Sequence, residues 1–450
     1  MPAMKKFTFV LSILLFTITA FNCNAQKTAF TNVTVIPMTG EQTLERHTVI
    51  VEGDRIIRVS PAGDVNPDNQ TAIIDGTGKF IIPGLAEMHG HVPPTDPSGN
   101  APSYYTDEYV EHTLFLYVAA GITTVRGMLG WPNQLELKEK VNSGEMVGPN
   151  LYLAGPSFNG NSIDSPRQAI EKVNRQKKEG WDLLKIHPGL TRAEYDAMAE
   201  TANSLGMRFG GHVPEDVGIE HAIEMGQETM DHIDGYYRWL QQFEESEWEN
   251  RMREIIAKTR AAGAWIVPTQ ALWETIIGAA DYAAMENYDE LKYIPKALRE
   301  NYSNYVSRNI DQHGESERKD ALKQAEWRQK LLREMNRQGV RILMGTDAPQ
   351  LFSVPGFSLH RELPHMAAAG MNPYEILESG TVRVGEYFSD EDTFGTIAKG
   401  QRADLLLLEA NPLNDIGNLK KRAGVMVQGR WYPREMIDEK LKDIEAAYTQ

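Results

Sequence analysis

The chain has 450 residues, is 41% apolar and 24% charged, and sets 46 Lys+Arg against 62 Asp+Glu for a net charge of −16. These values suit a globular protein with ample core and exclude a disordered, collagenous or coiled-coil chain. The acid excess argues against a nucleic-acid or anionic-membrane partner, both of which need basic surface.

Lys5 and Lys6 precede an apolar run from Phe7 to Phe21, followed by Asn22-Cys23-Asn24-Ala25-Gln26. A charged start, a stretch too short for a bilayer and small residues before a cut read as a signal peptide over residues 1–25. Cleavage after Ala25 removes the only Cys and takes the net charge from −16 to −18. The expected location is the periplasm or the medium, with no membrane contact after cleavage; a lipid-anchored Cys23 on the outer membrane is the rival reading.

Residues 26–82 read as short strands separated by Thr39-Gly40, Gly53-Asp54 and Asp75-Gly76, and the same texture returns over 395–434. The two ends therefore predict one small β domain built from both termini, which the resemblance drawn below makes a composite β-sandwich, with 435–450 left as a C-terminal tail. Between them the middle of the chain, with 83–394 read as the barrel, carries eight short apolar runs: Ile81-Ile82 at its edge leading to His89, then 122–125, 151–154, 183–186, 209–213, 229–233, 265–268 and 342–344. Helices lie between several of them. Ser165-Pro166 opens one that Gly180 closes, and Thr191 to Glu194 has capping-box spacing before another. Eight strands alternating with helices predict a closed (β/α)8 TIM barrel, an α/β fold, over an open doubly wound sheet, which would need a glycine-rich loop after its first strand; the resemblance drawn below implies that the barrel is distorted. Residues 274–340 predict a helical insertion, and 92–107 a proline- and tyrosine-rich loop after the first barrel strand.

His89 and His91 end that first strand, and i, i+2 spacing points both imidazoles to one face. Lys185, His212, His232 and Asp347 close the fourth, fifth, sixth and eighth strands. Four histidines, a lysine and an aspartate at strand ends point to a metal site at the barrel mouth.

Pro83-Gly84-Leu85-Ala86-Glu87-Met88-His89-Gly90-His91, Gly211-His212, Asp231-His232 and Gly345-Thr346-Asp347 resemble the amidohydrolase superfamily. The likeness continues through His360-Arg361-Glu362-Leu363 and Ala403-Asp404, and is nearest to imidazolonepropionase-related, Xaa-Pro dipeptidase (prolidase)-like enzymes. The resemblance implies two divalent ions, zinc by family usage: His89, His91 and Asp347 on one, His212 and His232 on the other, Lys185 bridging as a carbamate (N6-carboxylysine). A free lysine, with a pKa of about 10.4, would be a cation and no ligand. It further implies hydrolysis of a C–N amide bond in a dipeptide, Xaa-Pro-like or N-acyl amino acid substrate by a bridging hydroxide. Asp347 would serve as ligand and acid/base. A deaminase or imidazolone-type ring hydrolase, an esterase or lactonase, and a non-catalytic binding protein are the competing expectations.

His187, Tyr236, Tyr237 and His360 are candidate substrate contacts, while Arg126 is expected to pair with an acidic core residue. His221 and His313 are read as non-catalytic. Glu87 stands where the family more often has Asp. Homo-oligomerisation is carried over by family analogy only.

Overall fold

The computed structural model describes residues 27–449 apart from 65–66, 95–103 and 311. The signal segment and most of the loop after the first barrel strand lie outside the described residues. β-Branched runs punctuated by turns give β1 (Lys27–Val35), β2 (Leu44–Glu52), β3 (Arg55–Pro61), β4 (Thr71–Asp75) and β5 (Phe80–Pro83). The middle of the chain supplies β6 (Leu85–Gly90), β7 (Ile122–Gly127), β8 (Asn150–Leu153), β9 (Leu183–Ile186), β10 (Arg208–Gly211), β11 (Thr229–Asp231), β12 (Trp265–Val267) and β13 (Arg341–Ile342). The C-terminal region adds β14 (Leu405–Leu408), β15 (Arg422–Val427) and β16 (Arg430–Pro433).

Strands from the two ends share one hydrogen-bonded sheet in the order β16-β15-β14-β5-β1-β2-β3, with β4 also pairing β1. The four leucines of β14 are all buried because the sheet is covered on both faces. Their alternation divides them: Leu405 and Leu407 join Phe30, Val49 and Met426 in one core, while Leu406 and Leu408 join the main core of the α/β body. Of the stretch set apart above as a tail, residues 435–449 lie in a helix, Arg434–Thr449, that buries Ile437, Leu441 and Ile444.

The central strands are parallel and form two sheets, β13-β12-β11-β10-β9 and β6-β7-β8. The sheets meet at two seams. Ala154 bridges Leu183 at one. At the other, Met88 N donates to Met344 O (2.9 Å) and Asp347 N to His89 O (2.7 Å). This is a TIM-barrel-like α/β arrangement.

One boundary differs from the expectation. Ile81 and Ile82 belong to β5 of the terminal sheet, and the strand reaching His89 starts afresh at Leu85. Gly84 separates the two, and a Cβ there would sit 2.1 Å from Thr123 Oγ1, so the close approach of β7 demands glycine. The helix signals are realised: Thr191 Oγ1 accepts from Glu194 N while Glu194 Oε2 accepts from Thr191 N. The region 274–340 is helical, and its last helix, Glu315–Gln338, leads directly into β13.

Candidate metal centre

The C-terminal ends of β6, β9, β10, β11 and β13 converge, bringing together all six residues expected to hold metal. His89, His232 and Asp347 each offer a ligand atom within 4.8 Å of the other two. His91 Nε2 lies 2.5 Å from Asp347 Oδ1, and Lys185 Nζ lies 3.1 Å from His89 Nε2. The rings of His89 and His232 are 4.4 Å apart, and those of His212 and His232 4.6 Å. His232 and Asp347, just past their strands, adopt positive φ of 65° each. That conformation is uncommon for residues with a Cβ and clusters at functional sites.

Three of the four histidines are held from behind. His232 Nδ1 bonds Thr269 Oγ1 at 2.7 Å, leaving its buried Nε2 without a hydrogen-bond partner among the described residues. His212 Nδ1 meets Asp234 Oδ2 at 3.1 Å, and His89 Nδ1 lies 2.8 Å from Asp231 Oδ2. The hydrogen bonds to Thr269 and Asp234 fix the tautomers of His232 and His212 and aim their opposite nitrogens, while the His89–Asp231 approach is a close charge contact without hydrogen-bond geometry. Asp231 is itself clamped by Arg126, whose Nη2 lies 3.0 Å from both carboxylate oxygens. The core ion pair expected for Arg126 is therefore present, across 105 residues of sequence.

Burial sets the protonation states. It holds His89 and His232 well below the ordinary imidazole value, so both are neutral, the form a metal requires. It pulls the Lys185 ammonium down to about 8, against the opposing charges of Asp231 and Asp347. Burial pushes Asp231 up, but Arg126 and Lys185 outweigh it and keep the carboxylate ionised. These groups fit a divalent cation: neutral imidazoles, an aspartate and an orphaned Nε2 face one point, where a lysine cation already approaches His89.

Glu87 is the support behind β6. Its buried carboxyl accepts from His89 N (3.0 Å), Thr346 N (2.7 Å) and Thr346 Oγ1 (2.5 Å), stapling β6 to the segment carrying Asp347. Burial pushes it up to about 8 despite those three donors. The extra methylene relative to Asp thus still reaches across the seam.

The four expected substrate contacts separate. His187 stacks on His212 with ring centroids 5.2 Å apart and a buried Nδ1 that has no hydrogen-bond partner among the described residues. Tyr236 is a correction: it is fully buried with its hydroxyl 2.7 Å from Thr259 Oγ1, and so belongs to the wall. Tyr237 packs edge-on against Trp248. His360 lines a cavity of about 330 Å³ with Thr346 and Ser358, behind the segment that carries Asp347. His221 pairs with Asp196 on the outside, in keeping with a non-catalytic role. Thr269, Asp234 and Trp273, whose ring lies 5.5 Å from that of His232, escaped the sequence reading; only Asp234 followed a motif closely enough to be found.

Residues 80–432 match the Amidohydrolase family. Over 409 residues the chain is 22% identical to a 5-methylthioadenosine/S-adenosylhomocysteine deaminase of Thermoanaerobacter pseudethanolicus, covering 84% of each protein. Among solved structures it resembles a Xaa-Pro dipeptidase with a TM-score of 0.68 at 21% identity, covering 91% of this chain and all of that one. A bottromycin amidohydrolase superimposes with a TM-score of 0.74 at 20% identity, covering 94% and 90% respectively. The chain belongs to the amidohydrolase family and is a metal-dependent hydrolase acting on carbon–nitrogen bonds.

Proposed function

We propose that the protein is an exported binuclear amidohydrolase that cleaves the amide bond of a dipeptide or N-acyl amino acid, and that its two parallel sheets work as one closed, distorted (β/α)8 barrel. Backbone hydrogen bonds at both seams support the second part. The observation that carries the first is Lys185: fully buried, at the end of β9, with Nζ 3.1 Å from His89 Nε2. A buried ammonium is costly among neutral histidines, whereas its carbamate would supply two anionic oxygens to a pair of cations.

His89, His91 and Asp347 would hold one ion, His212 and His232 the other, and carbamylated Lys185 both. When bound, such a pair lowers the pKa of water and polarises the scissile carbonyl. Asp347 takes the proton of the attacking water and delivers it to the departing nitrogen, so that an acid and an amine leave. Thr269, Asp234 and Asp231 hold the imidazoles in register throughout. Export rests on the reading of residues 1–25; among the described residues no helix is long and apolar enough to cross a membrane.

A second reading, a mononuclear deaminase, is favoured by the nearly full-length likeness to a deaminase. Metal analysis of the purified protein beside a screen of dipeptides, N-acyl amino acids and adenosine derivatives separates them. Two ions per chain, amide turnover and its loss in Lys185→Ala are expected. One ion per chain with ammonia released from an adenosine derivative would replace the first reading by the second.

A further inference from the structure

Close to the centre sits a buried charge with no counter-ion among the described residues. Arg328, on the helix Glu315–Gln338, is 3% exposed. Its Nη2 donates to two neutral acceptors, Gln270 Oε1 at 2.8 Å and Pro268 O at 3.4 Å. No carboxylate among the described residues comes within 4.0 Å of it. The acids that act on it from farther away are Asp234, Glu362 and Glu274. Each is committed elsewhere: Asp234 to His212, Glu362 to the amides of Gln270 and Ala271, Glu274 towards His365. Buried charges in proteins are ordinarily paired, because an unpaired one forfeits its hydration.

The guanidinium lies over the ring of Trp273, 4.9 Å from its centroid. That ring is in turn 5.5 Å from His232 and 6.4 Å from His212. The indole Nε1 is buried and has no hydrogen-bond partner among the described residues. A cation without a carboxylate partner and an indole N–H without an acceptor, both counted among the described residues, thus stand beside the metal-site histidines. Both stand on rigid supports: Glu362 anchors the helix Gln270–Ile276, and Trp327, next to Arg328, packs on Trp248. Burial pulls the guanidinium down to about 10, so it remains a cation at neutral pH.

We infer that Arg328 and the Trp273 indole N–H receive a carboxylate of the substrate, on the leaving-group side of the scissile amide. In an amino-acid leaving group that carboxylate is two bonds from the scissile nitrogen, matching a wall that begins one ring away from His232. The substrate class is then an amide with a free carboxylate, a dipeptide or an N-acyl amino acid, and a neutral nucleoside leaves the guanidinium charge uncompensated. The inference rests on the amide-hydrolase reading and narrows it.

The test pairs substrates that differ only in the carboxylate: glycyl-L-proline with glycyl-pyrrolidine, and N-acetyl-L-leucine with N-isopentylacetamide. The metal-loaded wild type is expected to prefer the acid of each pair. Arg328→Gln lowers kcat/KM on the acids by about 10- to 100-fold more than on their carboxylate-free partners, as for the loss of a charged hydrogen bond, so that the preference for the acid collapses. Trp273→Phe, which keeps the ring and removes the N–H, gives a smaller loss in the same direction, and Arg328→Lys recovers part of the selectivity. Binding of N-acetyl-L-leucine is measured by calorimetry alongside, and weakens by a similar factor in Arg328→Gln. Equal turnover of acid and carboxylate-free forms by the wild type, or unchanged binding in both Arg328→Gln and Trp273→Phe, overturns the carboxylate clamp while leaving amide hydrolysis standing. Carboxylate binding that depends on Arg328, without turnover of any amide, keeps the clamp and rejects the amide-hydrolase reading.

Discussion

Lys185 is the residue on which the chemistry turns, and its environment gives it a pH signature. Only the neutral amine reacts with CO₂ to form a carbamate, and burial has already brought the group down to about 8. His89 and His232, held well below their ordinary value, stay neutral over the same range and add no step of their own. Below pH 8 the neutral fraction of Lys185 rises about tenfold per unit, and above it the fraction saturates. Reconstitution of the metal-stripped protein with zinc at constant dissolved CO₂ should accelerate in that way and level off near pH 8. A rate independent of pH from 6 to 8 would count against carbamate formation as the limiting step. The six converging residues were legible in the sequence because each closes a short apolar run, and strand ends in a parallel barrel meet at one mouth. Thr269 and Trp273 were not, since nothing local marks them. Thr269 reaches His232 across 37 residues, and Trp273 does so only because its helix folds back over the mouth.

Between elements, the strands are tied by a few buried polar side chains. Arg126 on β7 reaches Met88 O on β6 (2.6 Å), Thr229 Oγ1 on β11 (3.0 Å) and both oxygens of Asp231. That expected ion pair could be foreseen in kind but not in partner, because side-chain periodicity says which face a residue takes and not which distant strand it meets. Removing the cation would leave Asp231 buried and ionised beside His89. Arg126→Met should therefore destabilise the fold by about 3–5 kcal/mol, more than the pair is worth over an apolar replacement. Converting Asp231 to Leu in the same chain should restore much of that stability but not activity, because His89 loses the group behind it. Denaturant melts of the single and double variants measure the first effect, and turnover the second. A double variant as unstable as Arg126→Met would show that packing, not the stranded charge, is what the arginine supplies.

At the scale of the molecule, the two ends of the chain and the strands between them are one mechanical unit. Asn150 on β8 donates to Asp404 Oδ2 (2.9 Å), and buried Arg402 bonds both Asp404 (2.6 Å) and Thr124 of β7 (2.9 Å). Gly84 N donates to Asp404 O at 2.8 Å, so β6 starts from a point fixed by the C-terminal strands. Metal held by residues of β6, β9, β10, β11 and β13 would cross-link five strands, and the hydrogen bonds around Asp404 would carry that constraint into the terminal sheet. Free zinc a thousandfold above its Kd contributes about 4 kcal/mol per site to the folded state. Thorough chelation should thus lower Tm by roughly 10 °C or more, as a single transition seen alike by far-UV circular dichroism and by tryptophan fluorescence. Re-addition of zinc with bicarbonate should restore it in wild type, and only in part in Lys185→Ala. A Tm insensitive to chelation would show that the strand ends are held by protein contacts alone. Two separate transitions would show that the terminal sheet melts independently of the strands that carry the metal site.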